Sequence, residues 1–276
     1  MTIMGNRILL IIAAGNSTRM GSLPKAASLI NGVPNLYNTV SKAYDIFSTI
    51  IVVSNEDNLQ LYNEIISDFN DKTFVISIES GYGCGHAVME SLNSLSEKSI
   101  TANGLCDSDI VICWGDAYFE NSLLFEELIS IPKEVMEKTN LLIPVIMEKD
   151  PYVDIRPMGT IEVNNTEFIT ASHPCFKKRN ETILGSSGFH DQSIFRINYG
   201  IIKYLDMYHK SIYRKRDIMK RYIYGEMVFL DVINIMANYN NNACMYLTQH
   251  HTLGFNDTGE LKQINEQLKK HRNETS

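Results

Sequence analysis

This chain of 276 residues has no long apolar run, no paired cysteines and no excess of positive charge. Its N-terminal apolar stretch, Ile8-Leu9-Leu10-Ile11-Ile12, falls far short of the roughly 20 residues a spanning helix needs. No secretory signal pattern is visible, so no membrane partner and cytoplasmic residence are expected. Cys84, Cys106, Cys113, Cys175 and Cys244 are scattered with no C-x-x-C pair, which argues against a zinc ribbon and a disulfide framework. The formal charge of −7 argues against a nucleic-acid or anionic-membrane surface, so a polyanionic ligand must be met by cations gathered locally. Two common phosphate motifs are missing, the P-loop G-x-x-x-x-G-K-S/T and the dinucleotide fingerprint G-x-G-x-x-G. No Ser-His-Asp or Cys-His arrangement stands out for covalent catalysis, and neither an internal repeat nor a Pro/Gly/Ser linker divides the chain.

What is present is an ordinary globular composition, 44% apolar and 21% charged, in a chain long enough to bury a sizeable core. Apolar runs at 8–12, 49–53, 74–78 and 110–114 read as buried strands, and helical spacing at 36–47, 59–68 and 85–95 places helices between them. That alternation predicts an open, mostly parallel α/β sheet, whose ligands bind beyond the carboxyl ends of the strands. Past residue 140 the pattern changes. A strand at 141–147 is followed by an irregular stretch at 148–190, a strand-like run at 194–202 and a terminal helix at 259–270. Residues 1–140 read as one lobe and 141–276 as a second lobe of one continuous domain.

The most informative segment is Ala13-Ala14-Gly15-Asn16-Ser17-Thr18-Arg19-Met20, followed by Pro24-Lys25. Small residues after a buried strand let the backbone approach a ligand closely, and Gly15 can take turn conformations that residues with a Cβ resist. Backbone N–H groups in such a loop can face phosphate oxygens. Arg19 and Lys25 add positive charge beside them. This suits a triphosphate better than a neutral ligand.

The segment resembles the A-A-G-x-x-T-R-M … P-K signature of nucleotidylyltransferases, which activate sugar or alcohol phosphates with an NTP. Further matches follow in the family's order. Gly83-Cys84-Gly85-His86-Ala87-Val88 is similar to the nucleobase-approaching motif of N-acetylglucosamine-1-phosphate uridylyltransferases. Trp114-Gly115-Asp116 is similar to the aromatic-Gly-Asp whose Asp binds Mg²⁺. Gly159-Thr160-Ile161 and Ile197-Asn198-Tyr199-Gly200-Ile201 resemble acceptor-side segments, and Gly254-Phe255-Asn256-Asp257 resembles the segment whose Asn completes the metal site.

The resemblance implies a three-layer α/β/α fold with a mostly parallel mixed sheet, the Rossmann-like nucleotide-diphospho-sugar transferase fold. It implies Ala13, Ala14, Gly15, Asn16, Gly83 and Cys84 as nucleotide-binding residues. Arg19 and Lys25 become the catalytic cations, Trp114, Gly159 and Asn198 the acceptor-side residues, and Asp116 with Asn256 the Mg²⁺ ligands. The implied partners are an NTP and a small phosphorylated substrate. A phosphate nucleophile is already ionised, so catalysis reduces to positioning and electrostatic stabilisation.

Plainer roles stand beside these. Asp116 also suits a turn after its strand. Asn256 fits an Asx-turn before the last helix as well as it fits a metal. Cys84 reads as a small packing residue, and His86 as a packing or hydrogen-bonding group at a helix start. His250 and His251 are adjacent, and adjacent side chains on a strand point to opposite faces, so they make no metal pair. The basic run from Arg214 to Arg221 reads as a solvated helix face, and the apolar residues at 222–236 as core. His190-Asp191-Gln192-Ser193 fits an acceptor loop or a polar turn. Ile78 and Gly81 stand where the uridylyltransferases place uracil-reading Gln, which weakens UTP and leaves CTP open. A nucleotidylyltransferase using CTP or UTP is the leading reading. A non-catalytic nucleotide-sugar sensor and a molybdopterin-type nucleotidyl transfer are the alternatives.

Overall fold

Strand β1 (Arg7–Ile12) sets the architecture, because it is buried on both faces: Ile8, Leu10 and Ile12 pack into one apolar cluster, and Leu9 and Ile11 into another. Successive strand side chains point to opposite sides, so a strand apolar throughout must be covered on both. The computed structural model describes residues 6–15, 20, 23–97, 108–149, 151, 153–176, 187–218, 226–239 and 242–274. After β1 come β2 (Leu29–Ile30), β3 (Val33–Pro34), α1 (Asn35–Ala43), β4 (Thr49–Ser54), α2 (Leu59–Ile65), β5 (Thr73–Ser77) and α3 (Cys84–Glu97). They are followed by β6 (Asp109–Trp114), β7 (Ala117–Phe119), α4 (Leu123–Ser130), α5 (Lys133–Lys138), β8 (Thr139–Lys149), β9 (Val153–Val163) and β10 (Thr166–Phe176). The rest is β11 (Ser187–Asp191), β12 (Ile194–Ile197), α6 (Ile202–Ile218), α7 (Val232–Asn238), β13 (Asn242–Leu247), β14 (Thr252–Gly254) and α8 (Thr258–Glu274).

Among the described residues, ten strands form one sheet in the order β5-β4-β1-β6-β12-β8-β13-β10-β9, with β11 also paired to β8. The β5-β4-β1-β6 stretch is parallel, as is the β8–β13 pair, and the other pairings in this sheet are antiparallel. One face is covered by apolar residues of α3, α6 and α7, the other by those of α1, α2, α4 and α5. This is the mixed three-layer fold expected from the sequence, but the sheet is not mostly parallel. Among the described residues five of its nine strand pairings are antiparallel, because β12 runs antiparallel to both β6 and β8 and the strands β9 and β10 form a hairpin. A third cluster, with Met20, Ile30, Tyr118, Phe255, Ile264 and Leu268, seats α8 beside the β14–β7 pair.

The stretch expected to be irregular, 148–190, instead contains β9, β10 and β11. Asn164 and Asn165 both have positive φ, 52° and 61°, the conformation a two-residue hairpin turn requires and one that Asn tolerates. Prolines that suggested irregularity sit where a ladder can spare an N–H. Pro157 lies on the last strand of the sheet order, opposite a register irregularity at Ala171. Pro174 lies beyond the part of β10 that pairs with β13. Such positions are the ones strands leave open to proline. Residues 177–186 lie outside the described residues. The strand-like run at 194–202 ends at Ile197, where Asn198 Oδ1 accepts from Gly200 N at 2.9 Å and starts a short helical turn. The described part of 222–236 is core as expected, with Met227, Phe229, Leu230, Val232, Ile233 and Met236 buried.

Arg196 on β12 ties the antiparallel part to the parallel part. Its side chain is 2% exposed and pairs with Asp109 at 2.6 Å. Its other terminal nitrogen donates to the carbonyls of Leu128 and Ile131, at 3.1 and 2.6 Å, just where α4 ends. Removing the buried guanidinium strips the carbonyls of Leu128 and Ile131 of their donor and the partly exposed Asp109 of its cation. Arg196→Ala is therefore expected to lower unfolding stability in urea by about 2–4 kcal/mol. Lys210→Ala, which removes the exposed α6 pair with Asp206, should change it by less than about 0.5 kcal/mol.

Candidate active site

The parallel strands end together, with Ile12 in register with Val53 on β4 and Trp114 on β6. The backbone then laces the loops that leave them. Ala13 N donates to Val53 O at 2.8 Å, and Gly115 N donates to Ile12 O at 2.9 Å. The approach is tight: a Cβ on Gly115 would stand 2.9 Å from the Cβ of Ala13. From below, the Tyr62 hydroxyl donates to Ala13 O at 3.3 Å and Asn55 Nδ2 to Ala14 O at 3.4 Å. These loops floor a cleft of about 500 Å³ whose walls include Gly15, Lys25, Glu79, Gly83, Trp114 and Asp116.

Lys25 and Asp116, 91 residues apart in the chain, meet in this cleft with Nζ and Oδ2 2.7 Å apart. The lysine side chain is 20% and the carboxylate 34% exposed. Lys25 begins a short helical turn after Pro24, with Ala26 and Ala27 buried behind it. Asp116 is fixed by Asn35, the first residue of α1. The buried Asn35 Nδ2 donates to Gly115 O and to Ala117 O, both at 3.0 Å, and so clamps the backbone on either side of the carboxylate. Asn35 drew no notice in the sequence, because an Asn after Pro at a helix start looks like ordinary capping chemistry.

The opposite wall is the segment from Glu79 to Cys84, docked on residues 226–229. Gly83 has φ of +94°, and a Cβ there would lie 2.6 Å from Met227 N and O. Met227 N donates to Tyr82 O, and Gly85 N to Met227 O, both at 2.7 Å. Cys84 Sγ accepts from Phe229 N at 3.3 Å, and burial pushes the Cys84 thiol up to about 11. Its thiol is used in packing and in that hydrogen bond. His86 packs against Tyr82 and His209, with ring centroids 4.8 and 5.5 Å apart, and burial lowers its pKa. Glu79 and Glu226 add two carboxylates to the cleft wall, and the Tyr82 hydroxyl donates to Glu79 Oε1 at 3.1 Å. Neither acid was singled out in the sequence, since Glu226 reaches the cleft only through the docking of its segment.

The fold thus gathers Ala13, Ala14, Gly15, Lys25, Gly83, Cys84, Trp114 and Asp116 around one space. Trp114 is wedged there against Phe195 and Phe229, at centroid distances of 5.2 and 5.7 Å. Asn198 and Gly159 are not brought to it. Asn198 is spent on Gly200 N and on Met136 O, to which its Nδ2 donates at 3.2 Å, and Gly159 lies on β9 opposite Thr170. Asn256 is exposed, and its N donates to Glu260 Oε2 at 2.5 Å at the start of α8. The antiparallel β14–β7 register sets Gly254 opposite Ala117, so the chain entering Asn256 heads toward Asp116. Of the His190–Ser193 stretch, His190 and Asp191 end β11 and only Gln192-Ser193 links it to β12: Asp191 Oδ1 accepts from Ser193 N at 2.9 Å, and Gln192 Oε1 accepts from Thr252 N at 2.9 Å. Asn16, Arg19 and Cys106, together with the side chains of the basic run from Arg214 to Arg221, lie outside the described residues.

For a divalent cation the cleft offers a hard oxygen ligand, the Asp116 carboxylate; Asn256 is not among the described residues that line it. Among the described residues no group of three or more His, Cys, Asp or Glu gathers into a cage. A single carboxylate with few protein partners fits Mg²⁺, which keeps waters and takes substrate phosphates for its remaining positions. It does not fit a structural zinc site, which needs four protein ligands. No helix among the described residues is long and apolar enough to cross a membrane.

Residues 9–130 match the family model of the MobA-like NTP transferase domain. The bifunctional protein GlmU of Halalkalibacterium halodurans is 23% identical over 279 aligned positions, covering 98% of this chain and 54% of that protein. The 2-C-methyl-D-erythritol 4-phosphate cytidylyltransferase of Dehalococcoides mccartyi is 32% identical over 157, covering 55% of this chain and 62% of that protein. The chain thus spans a little over half the length of these curated relatives. Among solved structures, a UDP-glucose pyrophosphorylase complexed with UDP-glucose superposes with a TM-score of 0.68 at 14% identity, covering 97% of this chain and all of that one. That likeness shows a shared fold.

The two cleft glycines with positive φ make a paired test. Gly81 has φ of +96° with open space around it, whereas Gly83 faces Met227 backbone. Gly81→Ala should cost about 1–2 kcal/mol of stability, the price of holding an L-residue in that conformation. Gly83→Ala adds a clash with backbone that cannot swing aside. It should cost clearly more, by about 1–3 kcal/mol, in chemical denaturation of both variants.

Proposed function

We propose that this chain, whose residues 9–130 match the MobA-like NTP transferase domain, is a nucleotidyltransferase that joins CTP to a small phosphorylated acceptor and releases pyrophosphate. The observation that carries the reading is the Lys25–Asp116 pair at the carboxyl ends of adjacent parallel strands, beside a loop of small residues whose backbone borders the cleft. That position in an open α/β sheet is where ligands bind.

In this mechanism an oxygen of the acceptor phosphate attacks the α-phosphorus of the NTP. The bond between that phosphorus and the bridging oxygen breaks, and pyrophosphate leaves with the electron pair. No proton needs to be removed, because the attacking phosphate is already an anion. Backbone N–H groups of Ala14 and Gly15 cradle the phosphates, while Ala13, whose N–H is taken by Val53 O, sets the floor beneath them. Lys25 and Arg19 offset the charge that builds on the α-phosphate and the leaving group, where a preorganised cation contributes most. Asp116, which the resemblance pairs with Asn256, would hold Mg²⁺, and the ion would supply positive charge against phosphates that otherwise repel the incoming anion. Trp114 walls the acceptor side.

The choice of CTP over UTP rests on the acids. Glu79 and Glu226 line the cleft next to the Gly83 segment, and a carboxylate only accepts hydrogen bonds. Cytosine presents an amine to such a wall, and uracil presents another acceptor at the same ring position. A phosphorylated sugar or polyol is the acceptor class, in keeping with the relatives named for 2-C-methyl-D-erythritol 4-phosphate and UDP-glucose.

A pyrophosphate-release screen of four NTPs against a panel of sugar and polyol phosphates, with Mg²⁺, tests this. CTP should exceed UTP by roughly tenfold or more in kcat/KM, the effect of about one hydrogen bond to a charged group. Glu79→Gln, which can donate as well as accept, should narrow the gap. UTP turned over as well as CTP would refute the base assignment, and no release with any pair would refute the transferase.

A further inference from the structure

The ion pair in the cleft poses a problem for a polyphosphate site. Lys25 is the cation that the phosphates need, and it is already bonded to Asp116 at 2.7 Å. Sharing the ammonium would bring phosphate oxygens up against the Asp116 carboxylate, and anions that close repel strongly in a partly dehydrated cleft. The carboxylate cannot swing far, because Asn35 holds the backbone on both sides of it. Lys25 is the movable member, a long flexible side chain on a short turn.

We propose that Lys25 and Asp116 form a latch that makes polyphosphate binding conditional on a divalent cation. Asp116 holds Lys25 until its carboxylate is given over to the cation, and Lys25 then turns to the phosphates. Asp116 acts on the substrate partly through Lys25, as a positioning residue, in addition to any metal it holds. The inference rests on the cleft being the polyphosphate site proposed above. The two charges neutralise each other while no ligand is bound, and the latch guards against binding a nucleotide that lacks its metal.

The test is a double-mutant cycle on the full chain without metal. Binding of inorganic tripolyphosphate in excess EDTA is measured by calorimetry for the wild type, Asp116→Asn, Lys25→Met and the double variant. Tripolyphosphate serves as the probe so that base recognition plays no part. Asp116→Asn should bind at least about tenfold tighter than wild type, as expected when a cation is freed for a charge-assisted bond. That gain should vanish in the Lys25→Met background. A gain that persists without Lys25 would mean that Asp116 only repels the ligand, and no gain would mean that the pair holds nothing back; either overturns the latch.

A second measurement uses the unaltered protein. Acylation of Lys25, followed by mass spectrometry, should rise severalfold when Mg²⁺ alone is added, with Lys210 as the unchanged reference. Labelling of Lys25 that ignores Mg²⁺ overturns the proposal. A chain that shows the latch but releases no pyrophosphate would keep this inference and lose the transferase reading.

Discussion

Two loops that leave neighbouring parallel strands can share one ligand only if nothing stands between them. Here that condition is met by the meeting of Ala13 and Gly115, where even one added methyl group would sit 2.9 Å from its neighbour. The contact is locked by backbone, Gly115 N to Ile12 O on one side and Ala13 N to Val53 O on the other. The charged pair of the cleft is placed relative to this floor. Asp116 is the next residue after Gly115, and Lys25 reaches it from the far end of the loop that Ala13 begins.

The rest of the structure serves to hold that floor still. The strands beneath it are buried on both faces, so neither loop can shift without disturbing a core. Asn35 turns the start of α1 into a clamp on the β6–β7 turn. Gly83 and Met227 do the corresponding work for the far wall, pressing the Glu79–Cys84 segment against residues from a distant part of the chain. The cleft is therefore built from fixed backbone, with the long side chains Lys25, Glu79 and Glu226 as its movable parts. A site that works by electrostatic positioning needs that division between rigid frame and mobile charge.

Much of this was legible in the sequence, for identifiable reasons. The parallel strands β1, β4 and β6 announce themselves because burial on both faces leaves unbroken apolar runs. The loop after β1 shows itself by small residues followed by a cation. What stayed hidden depends on contacts between distant segments. Nothing local marks Asn35 as a partner of Gly115 and Ala117, or Met227 as the reason Gly83 must be glycine. Asn198 looked like an acceptor contact by resemblance, yet it is taken up by Gly200 N and Met136 O. The β9–β10 hairpin was obscured because Pro157, Gly159 and Pro174 suggest loops, and the Asn164-Asn165 turn that joins its strands is weaker punctuation than Asn-Gly. Lys25 was legible as a cation beside the loop. Its pairing with Asp116 could not be read from residues 91 positions apart.

The central claim is that a nucleotide's phosphates lie on the floor formed where β1 and β6 end. Peptide-resolved hydrogen exchange with and without CTP and Mg²⁺ tests it most directly. The account predicts that protection gained on binding concentrates in peptides spanning 12–27 and 112–119, with a second zone at 79–85. Protection confined to β9 and β10, or absent at saturating nucleotide, would contradict it.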